Sequence, residues 1–403
     1  MPKLRFPEFR GEWREIKLEN NAYIKGRIGW KNLKQSEYTE EGPYLIASKH
    51  IYNGRIKWLE CDHISIERYE ESIEIALTDG DIIFSKDGRL GNPALIESLR
   101  EKATINSTMM LIRVNKQKIV PKFFYYILNS KYFFKLINEL KSGSSIPHIF
   151  QRDMNNFMFP ITQIPEQEKI ASFLFQVDKK IDLLETKQKL WETYKKGIIQ
   201  QIFSQKIRFK DESGADYPDW IDGKLKNVLI QEIRKIKKPK TGYWRLGLRS
   251  HAKGTFHQFI DDPNKISMDY LYLVKKDDLI LNITFAWEHA IALAAKDDED
   301  KLVSHRFPTY KFFDKNNPLF YKYYVTLPKF RYELENISPG GAGRNRVLRK
   351  SDFLKICVPI PSTTEQTKIA NFLSVIDSKI DNLKRELEIN IEFKKGLLQQ
   401  MFC

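Results

Sequence analysis

Residues 166–203 and 365–402 of this 403-residue chain align without a gap at an offset of 199, and 18 of their 38 positions are identical. Chance does not produce such a match, so whatever the chain folds into is built twice. The offset extends backwards: Pro160-Ile161 matches Pro359-Ile360, Asp153 matches Asp352, and Ile149 matches Leu348. A looser echo opens each half, Arg5-Phe6 with Trp13 and Arg208-Phe209 with Trp220, where the internal spacing differs by four residues. Each half is a variable segment of roughly 150 residues followed by a shared segment of roughly 45.

The shared segments carry a helical pattern. In the first, Ile170, Val177, Leu184, Trp191 and Ile198 fall seven apart, with Leu174, Ile181 and Ile202 in the adjacent row; Gln188 and Lys195 interrupt it. The second has Ile369, Ile376, Leu383, Asn390 and Leu397, flanked by Leu373, Ile380, Leu387, Lys394 and Met401. Two apolar rows with a period near 3.5 are the pattern of a coiled-coil seam. Pro165 and Pro361 are read as lying just before each helix, where a missing N–H costs nothing. At about 1.5 Å per residue each helix would run roughly 55 Å. Singly, either seam also fits an amphipathic helix packed on its own domain. Two matching helices, each ending a half, favour mutual pairing, antiparallel if a pseudo-twofold relates the halves.

The variable segments read as mixed α/β. Tyr44–Ala47, Asp81–Phe84 and Met109–Val114 are short apolar runs bounded by Gly, Pro and Asp, and are expected to be strands. A Phe- and Tyr-rich helix is expected from about Pro121 to Leu140. The second half repeats the order with strands at Trp244–Leu246 and Asp278–Leu281 and a helix at Pro318–Leu334.

With 26 Phe, 18 Tyr and 7 Trp, extensive disorder is not expected. The formal charge of +15 raises the local concentration of polyanions, of which nucleic acid is the usual one. No apolar run approaches the roughly 20 residues that span a bilayer, and no apolar signal region follows Met1, so a membrane partner is not expected. Cys61, Cys357 and Cys403 are odd in number and widely spaced, which implies neither a disulfide framework nor a metal cluster. Cys61-Asp62-His63 is a lone pairing, and a cytoplasmic location is expected.

Catalytic signatures are missing. The chain has no Asn-Pro-Pro-Tyr-type tetrapeptide of amino-methyltransferases, no G-x-x-x-x-G-K-[ST] phosphate loop and no H-E-x-x-H. Gly340-Gly341-Ala342-Gly343 lacks the dinucleotide spacing and reads as a loop. What recurs instead is a set of basic and polar loops at corresponding places. Lys49-His50 matches Arg249-Ser250, and the loop of Lys86 and Arg89 matches the loop of Thr284, Trp287 and His289, with Ile283 and Ala286 at the places of Lys86 and Arg89. Ser144, Ser145, His148 and Arg152 match the stretch of Arg344, Asn345 and Arg346. Lys and Arg neutralise phosphates, while Arg, Asn and Gln also bond base edges. Any one such loop fits a solvated turn; recurrence with divergent chemistry fits two DNA readers with different targets. A coiled-coil adaptor that never touches DNA explains the helices but not the charge, and a stand-alone DNA enzyme lacks its motifs.

Pro160-Ile161…Glu166-Gln167-x-Lys169-Ile170-Ala171-x-Phe173-Leu174 and its copy at 359–373 resemble the conserved regions of Type I restriction–modification specificity subunits. Leu4-Arg5-Phe6-Pro7-Glu8-Phe9 with Trp13 is similar to a frequent N-terminal form of that family, and Gly340–Arg346 to its basic loop before the last helix. The resemblance implies target-recognition domains at 1–160 and 207–359, and spacer helices at 161–206 and 360–403. Each domain would read one half of a split, asymmetric site in double-stranded DNA. The helices would form an antiparallel coiled coil through Ile170, Leu174, Val177, Ile181, Leu184, Ile369, Leu373, Ile376, Ile380 and Leu383. It further implies a non-catalytic chain docking two modification subunits, which bind S-adenosylmethionine and methylate adenine, with motor-nuclease restriction subunits joining them. Gln188, Lys195, Asn390 and Lys394 depart from the seam and are expected to face a partner subunit or solvent.

Overall fold

Short β-branched and aromatic runs become strands because burying both faces of a strand needs only a handful of residues: Ile82–Ser85 is buried along its whole length. The computed structural model describes residues 2–26, 33–142, 147–338 and 346–402. They fall into two units, Met1–Thr186 with Arg385–Cys403, and Lys187–Lys384.

The first unit begins with strands β1 (Arg14–Lys17), β2 (Ala22–Gly26), β3 (Thr39–Ile46), β4 (Ile51–Tyr52), β5 (Arg55–Ile56) and β6 (Asp62–His63), then helix α1 (Ile66–Glu70). Strands β7 (Ile82–Ser85), β8 (Gly91–Leu95), β9 (Ala103–Ile105) and β10 (Met109–Val114) follow. Helices α2 (Pro121–Ile127), α3 (Lys131–Ser142) and α4 (Gln151–Asn155), strand β11 (Met158–Ile161) and the long helix α5 (Ile164–Phe203) complete that half. The second half opens with β12 (Ile221–Lys224), β13 (Leu229–Glu232), β14 (Lys235–Lys237), β15 (Tyr243–Leu248), β16 (Thr255–Ile260) and β17 (Tyr270–Leu273). It continues with β18 (Leu279–Leu281), β19 (Ile291–Leu293), β20 (Leu302–Val303) and β21 (Thr309–Phe312). Helices α6 (Pro318–Tyr324), α7 (Pro328–Ile337) and α8 (Lys350–Phe353), strand β22 (Cys357–Ile360) and the long helix α9 (Thr363–Met401) close it.

The duplication is visible strand by strand. An antiparallel sheet of order β2-β10-β7-β8 in one unit matches β13-β21-β18-β19 in the other. The pair β1·β11, with Arg14 opposite Ile161, matches β12·β22, with Ile221 opposite Ile360. The remaining sheets differ: β6-β3-β9 stands in the first unit, and the larger β14-β17-β20-β15-β16 in the second. The differing strands interleave with the shared ones along the chain, β9 falling between β8 and β10 and β20 between β19 and β21.

The repeated Arg and Trp of each N-terminal echo converge on the glutamate that opens each long helix. Arg5 donates to Glu166 through Nε (2.7 Å) and Nη2 (2.8 Å), and Trp13 Nε1 adds a bond of 3.3 Å. Arg208 and Trp220 do the same to Glu365, at 3.1 and 2.9 Å. Both glutamates are buried, so each needs these donors. Burial would raise the Glu166 carboxyl, but the Arg5 and Thr162 hydrogen bonds and the Arg5 charge outweigh it and hold it below the usual range. Gln167 and Gln366, the next residues, accept the N–H of Val120 (2.9 Å) and Asn317 (2.8 Å), tying each helix to its domain.

Within each unit the two long helices run antiparallel. In the first, Asp178 meets Lys394 at 2.6 Å and Lys180 meets Glu386 at 3.5 Å. In the second, Glu192 meets Lys384 at 3.8 Å and Lys195 meets Asp377. Ile170, Leu174, Ile181, Leu184, Ile369, Leu373, Ile376 and Ile380 are buried, and Val177 and Leu383 are partly buried. The seam is not devoted to helix pairing alone. Ile170 and Leu174 sit among Phe123, Phe124 and Phe159 of their own domain, where the end of α9 also inserts Leu397, Met401 and Phe402. Ile369 and Leu373 join Phe320, Tyr323 and Phe353 beside Ile199 and Ile202 of α5. Phe402 meets Phe123 at 5.5 Å, and its repeat mate Phe203 meets Phe320 at 5.1 Å.

Several sequence expectations need correction. Pro165 is the second residue of α5, still within the first turn where its missing N–H is harmless. The helix expected at 121–140 is two helices, because the Asn129 and Ser130 side chains bond the carbonyls of Tyr125 (2.8 Å) and Ile127 (2.7 Å) and end the first. The one at 318–334 breaks before Pro328, whose ring cannot continue the ladder. Lys195 and Lys394 do not turn to solvent or to a partner; each closes on an aspartate of the other long helix. Asn390 is buried and donates to the Glu386 carbonyl, while Gln188 bonds Glu192 on its own helix.

Candidate nucleic-acid interface

The strand-to-turn loop after β7 and the segment before α4 meet in the first unit. The N–H of Ile149 donates to the Lys86 carbonyl at 3.0 Å, and His148 pairs with Asp87. Ser85 Oγ donates to the Asp87 carbonyl at 2.8 Å, which tightens the turn, and Gly88 at φ +66° completes it with open space around its Cα. Lys86 is partly buried and Arg89 exposed; Arg152 is exposed with its guanidinium 5.1 Å over Phe150. Two loops whose joined residues Asp87 and His148 are 61 apart in sequence thereby form one basic edge.

The second unit repeats the junction with different chemistry. Leu348 N–H donates to the Ile283 carbonyl at 2.9 Å, the same bond between the corresponding loops. Asn282 Oδ1 accepts the Thr284 N–H at 3.1 Å, and the Arg346 guanidinium lies 5.4 Å over Trp287, a partly buried ring. The β15–β16 turn joins the cluster: His251 and Ala252 donate N–H to the carbonyls of Glu288 and His289, each at 2.8 Å. Ser250 Oγ donates to Glu288 at 2.6 Å, and Arg249 is exposed above Phe256.

Two expected contact residues turn inward. His50 is 1 % exposed, with Nδ1 accepting the Ala47 N–H at 3.0 Å; burial pushes its pKa down, so it is neutral. His289 is 4 % exposed, in a left-handed turn at φ 61°, and bonds the Val325 carbonyl at 2.6 Å; burial lowers its pKa as well. Both are internal braces of their loops. Lys49 is exposed but engaged by Asp62 at 2.9 Å, and Thr284 is partly buried. Ser144, Ser145, Arg344 and Asn345 lie outside the described residues.

Sequence reading missed Arg245 and Arg306. Both line a cavity of about 470 Å3 in the second unit, with Ser250 and Thr284 on the same wall system. Neither arginine belongs to the 199-residue repeat, so the only signal was position beside a strand. Among the described residues no group of His, Cys, Asp and Glu is gathered to hold a metal, and no helix is long and apolar enough to cross a membrane.

A twice-built α/β domain, each copy bracing corresponding loops against one another and followed by a long helix, defines a class of duplicated two-domain proteins. Comparison places the chain within that class. The profile described as Type I restriction modification DNA specificity domain matches residues 12–192 and 223–392, and the chain belongs to that family. It is 24% identical over 419 residues to the Type I restriction enzyme MjaVIII specificity subunit of Methanocaldococcus jannaschii, spanning 99% of this chain and 93% of the relative. It is 21% identical over 424 residues to the EcoBI specificity subunit of Escherichia coli, spanning 97% and 85%. The S subunit of M. genitalium shares the fold, with a TM-score of 0.61 at 16% identity over 100% of this chain and 99% of that one. A chain from a study of complex assembly in the type I R-M system has a TM-score of 0.56 at 17% identity, covering 98% and 99%. The curated relatives are specificity subunits of type I restriction enzymes.

Proposed function

We propose that each unit reads one half of a bipartite, asymmetric site in double-stranded DNA, and that the long helices set the spacer and dock two methyltransferase subunits. The recognition domains are those at 1–160 and 207–359, and motor-nuclease subunits join the assembly. The observation that carries this reading is the repeated junction: Ile149 to Lys86 and Leu348 to Ile283 brace the same loops in both units, while the side chains presented differ. Lys86 and Arg89 of the first unit stand where Ile283 and Ala286 stand in the second, so the frame is kept and the readout changed. The charge of +15 supplies the sequence-independent attraction to phosphate that a reader of either target needs.

Docking of two equal partners is supported by a repeated apolar pair. Leu190 and Tyr194 on α5 are 64% and 49% exposed; their repeat mates on α9, Ile389 and Phe393, are 68% and 53% exposed. Residues four apart share a helix face, so each copy offers one two-residue apolar patch. The methyltransferase partners bring S-adenosylmethionine and the adenine chemistry, and the cytoplasm is where all of these meet. An adaptor that never touches DNA leaves the paired basic loops without a purpose.

Exchange of residues 207–357 for the matching segment of a relative tests the reading by methylome mapping. One half-site changes and the other stays; if both change together, the units do not read independently. Matched four-residue insertions within 182–190 and 381–389 keep the antiparallel helices in register and add about 6 Å. The spacer then lengthens by one or two base pairs at about 3.4 Å each. An active insertion variant with an unchanged spacer would show that the helices are not the ruler.

A further inference from the structure

The cavity of about 470 Å3 in the second unit lies in the volume range of pockets that hold small organic ligands. Its floor is the β15–β16 ribbon. Phe256 stands directly opposite Gly247 in register, and a Cβ on Gly247 would lie 2.3 Å from the Phe256 ring. The absent side chain lets that ring lie flat on the strand. Phe285 and Phe307 line the cavity from other segments, and Phe256 and Phe285 are each 39% exposed. Aromatic faces left open in a concave site are what a flat, apolar-faced ligand stacks on.

Arg245 is engaged by Gln258 and Ser250 by Glu288, but other polar groups of the cavity are unspent. Tyr243 is 7% exposed, yet its buried hydroxyl has no hydrogen-bond partner among the described residues. Arg306 is exposed, and among the described residues no ion pair or side-chain hydrogen bond engages its guanidinium. Asn282 commits its Oδ1 to the Thr284 N–H and keeps its NH2 as a donor. Donors and acceptors of this kind, set among stacking faces, match the edge and faces of a heteroaromatic base. A base inside a duplex shows proteins its edge only; its faces are covered by its neighbours. Rings that line a cavity therefore serve a base that has left the stack.

We propose that this cavity takes one nucleobase turned out of the DNA stack when the second unit engages its half-site. The inference rests on the reading that this unit binds DNA. Phe256 and Phe285 stack on the base, Asn282 and the Tyr243 hydroxyl meet its edge, and Arg306 holds the displaced backbone. This base is separate from the adenines that the methyltransferase subunits modify.

The test uses the full chain with its methyltransferase partner and duplexes carrying 2-aminopurine at one position at a time across the mapped site. Wild type brightens several-fold at one position that is not a methylated adenine. Asn282→Ala abolishes that signal and leaves the signal at the methylated adenines in place. Tyr243→Phe, which removes only the hydroxyl, weakens specific binding by roughly three- to tenfold, one hydrogen bond's worth. Unchanged circular dichroism and melting of both variants establish that they fold. If the complex binds and methylates its site but only the methylated adenines brighten, the cavity holds no extruded base and the proposal fails while the DNA-reading assignment stands. If the complex does not bind DNA at all, that assignment fails as well. Titration with the four deoxynucleoside monophosphates separates the sources: saturable binding of a free nucleotide, with no bright DNA position, overturns the extruded base in favour of a soluble ligand.

Discussion

Asp377 on α9 is the joint at which three parts of the second unit meet, and replacing it reports whether that joint holds them. Its carboxylate takes an ion pair from Lys195 of α5, another from Lys322 of α6 at 3.2 Å, and a hydrogen bond from the Tyr323 hydroxyl at 2.9 Å. The first unit builds the same joint at Asp178, with Lys394 at 2.6 Å and Tyr126 at 2.7 Å. A fully buried pair broken on one side costs about 3–5 kcal/mol, and a surface pair at most about 1 kcal/mol. Asp377 and Lys195 are 21% and 28% exposed, between those limits. Tyr323 keeps Ser374 as a second partner at 3.2 Å, so its hydroxyl is not stranded. Asp377→Ala is therefore expected to cost about 2 kcal/mol. For a unit of this size that lowers the melting temperature by roughly 4–8 °C. A double-mutant cycle with Lys195→Met should return a coupling of about 1 kcal/mol. Burial alone would raise the Asp377 carboxyl; the Lys195 bond and the Lys322 and Lys195 charges outweigh it and hold it below the usual range. A lowered folded-state pKa contributes stability above the unfolded value near 4, lost as pH falls through the folded value. The gap between wild type and Asp377→Asn should thus be full at pH 7 and close on acidification below about 4. A loss under about 0.5 kcal/mol with no coupling would refute the joint.

Glu365→Ala takes the buried acceptor from Trp220 and from Arg208, which keeps the Tyr217 and Pro218 carbonyls and Asp219, and is expected to cost about 2 kcal/mol by chemical denaturation, with Glu365→Gln retaining more than half of the stability lost. Arg346→Ala should weaken DNA binding and flatten its dependence on log salt by about one unit, as loss of one phosphate contact does; an unchanged slope with discrimination lost at one base would make Arg346 a base reader instead. Burial, with Asp62 adding to it, pushes the Cys61 thiol up to about 12, so at pH 8 a disulfide reagent should label Cys357, which is exposed, and leave Cys61 unmodified until the protein unfolds; peptide mapping reads the outcome.

Duplication, the two long helices and the order of strands and helices in each half were written in the string, because periodicity and repetition are local properties that survive without knowledge of the fold. So were the loops at Lys86–Arg89 and Arg346, placed by their offset from the repeated helices. The string also held Arg5, Trp13, Arg208 and Trp220 as an echo, but not their reason: only the packed chain brings them to Glu166 and Glu365, more than 140 residues away. Which way a polar side chain faces is settled by what lies across from it, and that is a long-range fact. His50 and His289 look like surface contacts by residue type, yet tertiary packing turns both inward to brace backbone. Lys195 and Lys394 look like breaks in an apolar row, yet each finds an aspartate on the other helix once the two run antiparallel. Arg245, Arg306 and Tyr243 carry no shared pattern at all; a cavity is the space between elements, and only their folding side by side creates it.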